Sequence, residues 1–102
     1  MSEHDIVTNL ANGLSLLLST GNYPEELGVR LRCLVEALTT FLRMYLSTAE
    51  GGERRVYLRL ISQFIQARSG EFAHYPKVTH YLQFVQLITT QYLSATRALP
   101  AT

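Results

Sequence analysis

Acidic residues stop at Glu71. From residue 72 to residue 102 there is no aspartate or glutamate, and the only fixed side-chain charges there are Lys77 and Arg97. The chain has no tryptophan and a single cysteine, Cys33, so it can form neither an internal disulfide nor a cysteine-based metal site. Between Arg32 and Leu34, Cys33 reads as a small buried thiol beside a packed seam rather than as a nucleophile, which would want a histidine partner and partial exposure. No apolar run approaches the ~20 residues of a membrane span. The N-terminus Met1-Ser2-Glu3-His4-Asp5 lacks the positive start of a secretory signal. The expectation is an intracellular, cytoplasmic protein.

Enzyme signatures are also missing. His4, His74 and His80 fall in no three- or four-ligand pattern, so no metal site is expected. No glycine-rich phosphate loop follows a strand, and no serine sits in a nucleophile elbow. Glu25 and Glu26, and Glu50 and Glu53, stand where helices begin, which gives these acids capping roles rather than acid–base roles. The reading is a non-enzymatic protein without a cofactor.

What is present is helical periodicity. Leu27, Leu31, Leu34, Leu38, Phe41 and Tyr45 alternate spacings of four and three, a heptad seam on a helix spanning residues 22–49. Asn22 with Glu25 three residues on reads as a capping box, Pro24 fits the first turn, and Gly51-Gly52 reads as the stop. Ahead of it, residues 2–20 predict a first helix capped by Ser2, with Ile6, Leu10, Leu14, Leu17 and Leu18 as its stripe and Val7 and Ala11 widening it. Gly13 inside that helix costs about 1 kcal/mol against alanine, or marks a close helix crossing.

A third helix is predicted from residue 53 to about residue 67, with Tyr57, Leu58, Leu60, Ile61, Phe64 and Ile65 supplying its core face. Residues 69–76 form a loop that Phe72 and Tyr75 pin to the bundle end. Pro76 opens a fourth helix and Pro100 closes it. Its second heptad seam runs Val78, Tyr81, Val85, Ile88, Tyr92, Ala95 and Leu99, with Leu82, Phe84 and Leu87 off the seam. Two such seams in 102 residues predict one all-α domain over residues 1–102, an antiparallel bundle of four helices.

Hydrophobic residues make up 47% of the chain and charged residues only 17%, so apolar surface is left to cover. The fourth helix shows it best. Away from its seam it carries threonine, glutamine and serine instead of lysine and glutamate, which is how the core of an interface looks. Tyr81, Phe84, Leu87, Ile88 and Tyr92 are the candidate contacts of a homodimer. A second feature is basic. Lys77 is the only lysine among nine Lys and Arg residues, and Arg43, Arg54, Arg55 and Arg59 fall near the turn between the second and third helices. Arg55 and Arg59 stand one helical turn apart, about 6 Å along the axis, a separation that suits phosphates.

Two functions follow. The first is a protein-interaction or assembly module (an adaptor, regulator or small chaperone) acting as a homodimer. The second is a helical dimer that binds nucleic acid, such as double-stranded RNA, through Arg43, Arg54, Arg55 and Arg59. Against the second, Glu50 and Glu53 lie in the same turn, and the net charge is only +1.

Overall fold

A computed structural model describes residues 2–48 and 52–98, with residue 52 and residues 94–98 described by their helical backbone alone. Four helices pack against one another: α1 (Glu3–Thr20), α2 (Glu25–Ser47), α3 (Gly52–Arg68) and α4 (Pro76–Ala98), with a 3-10 turn at Ser69–Phe72 before α4. There is no strand among the described residues, and the fold is an all-α bundle. It is elongated, 51 × 21 × 21 Å. Each helix packs along the next, while α1 and α4 meet over a shorter line. Glu3 acts on Tyr92 and Gly13 lies under Tyr81, so α1 and α4 run in opposite directions.

The helix ends show the local chemistry. The Asp5 backbone N–H donates to Ser2 Oγ at 3.1 Å, the expected cap of α1. At α2 the expectation fails. Asn22 does not cap it. The helix starts at Glu25, Pro24 is the cap residue without a side-chain bond, and the first helical bond runs from the Gly28 N–H to the Pro24 carbonyl at 2.8 Å. The reason is steric: a residue before proline is pushed to extended backbone, so Tyr23 cannot join a helix begun at Asn22. The other end of α2 also comes early. The Thr48 N–H and the Ser47 and Thr48 hydroxyls all donate to the Met44 carbonyl, and the helix closes at Ser47. Hydroxyls compete for the last carbonyls there, ahead of the glycine pair. Gly52 is the first residue of α3, and residues 49–51 lie outside the described residues, as do Leu99 and Pro100.

The core combines Val7, Leu10 and Leu14 with Leu31, Leu34, Val35, Leu38, Leu42 and Tyr45, then Leu58, Ile61 and Ile65, then Phe72, Val78, Leu82 and Val85. The α2 seam is therefore as read. Phe72 is buried, and Tyr75 meets Tyr23 edge to face, so the loop before α4 is pinned as expected. Two positions are corrected. Cys33 is exposed. Adjacency to Leu34 in sequence is a rotation of about 100° on a helix, which carries the thiol away from the seam.

On α4 the buried line is Val78, Leu82, Val85 and Thr89, not Val78, Tyr81, Val85 and Ile88. Tyr81 sits at the edge, where its hydroxyl donates to the Leu10 carbonyl at 3.0 Å. A phenol wants an acceptor, which the Leu10 carbonyl supplies at the α1–α4 edge, while Leu82 takes the central place. The tyrosine ring lies where a Gly13 side chain would be, so Gly13 marks a close crossing of α1 and α4.

Candidate interfaces of the bundle

The outer surface of α4 comes first. Phe84 is 49% exposed and Leu87 is 55% exposed. Tyr81, Ile88 and Tyr92 are half-buried and pack against the core from the α1 side. Tyr81 and Phe84 rings are 6.1 Å apart, so one aromatic surface runs from the α1–α4 line to the outside of α4. Between Val78 and Leu93 no residue carries a fixed charge. Two of the polar residues there serve the fold: Thr89 donates to the Val85 carbonyl at 2.8 Å, and Gln86 reaches Ser62 on α3 at 3.4 Å.

The four candidate arginines are placed in three different settings. Arg54 belongs to the bundle. It pairs with Glu3 of α1 at 2.9 Å, its Nε donates to the Tyr45 carbonyl at 3.0 Å, and its guanidinium lies over the Tyr45 ring, 4.2 Å from the centroid. Since α2 has no basic residue in its last turn, Arg54 supplies the cation its C-terminus favours. Burial first, then a hydrogen bond and repulsion from Glu3, push the Tyr45 phenol well above its ordinary range; Arg54 opposes this. Burial and then Glu3 raise Tyr92 as well. Side chains of all four helices thus meet at this end.

Arg55 and Arg59 lie on one side of α3. Ser62, seven residues beyond Arg55, faces α4 through Gln86, so this is the α4 side. Neither pairs with a described carboxylate, and Arg55 Nε is buried without a hydrogen-bond partner. Arg43 stands apart from them, at a groove of about 210 Å3 between α1 and α2 whose lining includes Thr8, Ala11, Ser15 and Thr39. Glu53 is exposed. Arg54 meets Glu3, an acid of α1 that sequence proximity does not reveal.

Two further features come from the fold. Glu71 and His74 stand at the Glu-x-x-His spacing that di-metal bundles use, against the expectation that the chain has no such spacing. They lie around the 3-10 turn rather than on a helix. Glu71 receives Arg30 at 3.5 Å and Arg68 at 3.8 Å, and no group of three potential ligands is gathered among the described residues. The second is a cleft of about 380 Å3 where the α1–α2 connection meets the start of α4. Its residues come from two segments far apart in sequence, 17–23 and 74–78, and form no motif. Among the described residues, no helix is long and apolar enough to cross a membrane. Comparison with known proteins gives no match: no family, no curated protein and no solved structure resembles the chain significantly.

Proposed function

We propose that this protein is a non-enzymatic helical assembly module, an adaptor, regulator or small chaperone, that works as a homodimer. The contact is the aromatic surface of α4 that runs from the half-buried Tyr81, Ile88 and Tyr92 to the exposed Phe84 and Leu87. The observation that carries the reading is the exposure of Phe84 and Leu87 on a helix stretch without fixed charge. A face with neither sign of charge needs no complementary partner. It can meet its own copy about a two-fold axis, each aromatic edge packing on the other. Sedimentation or light scattering at micromolar concentration tests this. Twice the 11.5 kDa chain mass is expected, and a monomer over the whole concentration range would rule the dimer out.

The second reading is a dimer that binds nucleic acid. Its support is that Arg55 and Arg59 have no carboxylate partner among the described residues. Arg54 is already engaged with Glu3 and Tyr45, and Arg43 lies at the other groove, which leaves a two-arginine contact per chain. Titration against generic duplex RNA at rising salt tests it. Phosphate contacts give an affinity that falls by about one logarithmic unit per tenfold salt for each contact. An assembly module gives no binding to RNA.

A further inference from the structure

At the end of the bundle opposite Arg54, two chain connections enclose the 380 Å3 cleft. Leu17 contributes apolar surface, with the buried Val78 behind it. Tyr23 and Tyr75 form a wall, their rings edge to face with centroids 5.6 Å apart. The wall is fixed, because the Tyr23 hydroxyl donates to the Leu17 carbonyl at 2.9 Å. Lys77 and His74 are exposed at the rim, and no lining residue is acidic. The acid nearest to His74 in sequence, Glu71, is held by Arg30 and Arg68. Asn22 also lines the cleft, and its side-chain amide is not used to cap α2.

The size, the wall and the charge restrict what fits. Clefts that take small molecules run from about 300 to 1,000 Å3, and this one lies near the lower limit. An aromatic wall favours a ring or a short alkyl chain. A lysine without a carboxylate partner among the described residues favours one negative group, held as a point charge rather than in the two-pronged way of arginine. We propose that the cleft binds a small amphipathic carboxylate. The apolar part lies against Tyr23 and Tyr75, and the carboxylate meets Lys77 with the Asn22 amide as a further donor. The site is independent of the α4 outer face and of dimer formation.

The experiment is a titration of the full chain with 4-phenylbutyrate, followed by amide NMR shifts, with 4-phenylbutylamine as the control of opposite charge. Saturable shifts are expected at Gly21, Asn22, Lys77 and Val78 with the carboxylate and not with the amine. Lys77→Glu should weaken binding at least about tenfold while leaving the thermal melt unchanged, and Lys77→Arg should retain it. The proposal is overturned by shifts that do not saturate at millimolar probe, by shifts elsewhere on the bundle, by equal binding of the amine, or by unchanged binding to Lys77→Glu.

Discussion

Helices α2 and α4 are the same length, 23 residues, and each contributes a buried line to the same core. Their outer surfaces differ. On α2, Glu25, Glu26, Arg30, Arg32, Glu36 and Arg43 all stand exposed, and Arg30 pairs with Glu26 at 3.0 Å. On α4 the corresponding surface holds Gln83, Phe84, Leu87, Thr90 and Gln91. The inward faces answer to one requirement, burial. The outward faces answer to their surroundings: mixed charge on α2 suits water, and the neutral aromatic surface of α4 suits a second protein surface. Isolated exposed apolar residues such as Val29 and Met44 on α2 do not alter this, since they stand among charges.

The comparison can be broken most severely in the core. Leu38→Ala on α2 and Leu82→Ala on α4 should each cost about 2–5 kcal/mol, a large share of a small domain's stability. Denaturant unfolding measures both. A small loss at Leu82 together with a large one at Tyr81→Ala would restore the heptad seam read from sequence. Next in size is assembly. Phe84→Glu with Leu87→Glu should shift the molecule to 11.5 kDa by sedimentation, each change costing association about 2 kcal/mol or more. Replacing exposed Val29 and Met44 by glutamate should leave the mass unchanged. Were the α2 pair the one that dissociates the dimer, the contrast between the two surfaces would point the wrong way.

Among the arginines, Arg54→Ala should cost about 1–3 kcal/mol, because it removes a charged hydrogen bond to the Tyr45 carbonyl and strands Glu3. Arg59→Ala, on an exposed surface, should stay within about 0.5 kcal/mol. Equal melting temperatures for the two variants would show that Arg54 is no more structural than its neighbours.

The gentlest effect is that of pH. Burial raises the phenols of Tyr23, Tyr45, Tyr81 and Tyr92 above the ordinary value of 10.0, with Glu3 adding to the shift at Tyr45 and Tyr92. The folded protein therefore keeps these protons where the unfolded chain gives them up. The stabilisation is complete below pH 10 and is lost as pH rises above it. Melting temperatures should be level from pH 8 to 9 and decline from about pH 10 upward. Tyr81→Phe, with one such phenol fewer, should decline less steeply.

Much of the fold was legible because burial leaves a period in the sequence. The α2 seam and the Ser2 cap depend on neighbours within a few residues, and the structure agrees with both, as it does with the burial of Phe72. The errors have two causes. Asn22 fails as a cap because Pro24 keeps Tyr23 out of the helix, whereas Tyr81 as a seam residue and Cys33 as buried both required knowing which of two adjacent residues turns inward. A heptad pattern leaves that open when Leu82 follows Tyr81. Of the candidate sites, the apolar face of α4 was visible as missing charge. The Glu3–Arg54–Tyr45 cluster and the tyrosine-walled cleft were not, because their residues come from opposite parts of the chain.

The sequence by itself determined that four amphipathic helices must form and hide one face each, since apolar side chains at intervals of three and four have no other way out of water. It also determined where charge is absent. Only the tertiary structure decided the rotation of α4, because that depended on the Leu10 carbonyl being within reach of the Tyr81 hydroxyl and on Gly13 leaving room for the ring. Only the tertiary structure divided the arginines, because which guanidinium meets a carboxylate depends on which helix ends share one end of the bundle. Periodicity fixes how a helix treats water; distances between helices fix which side chains meet.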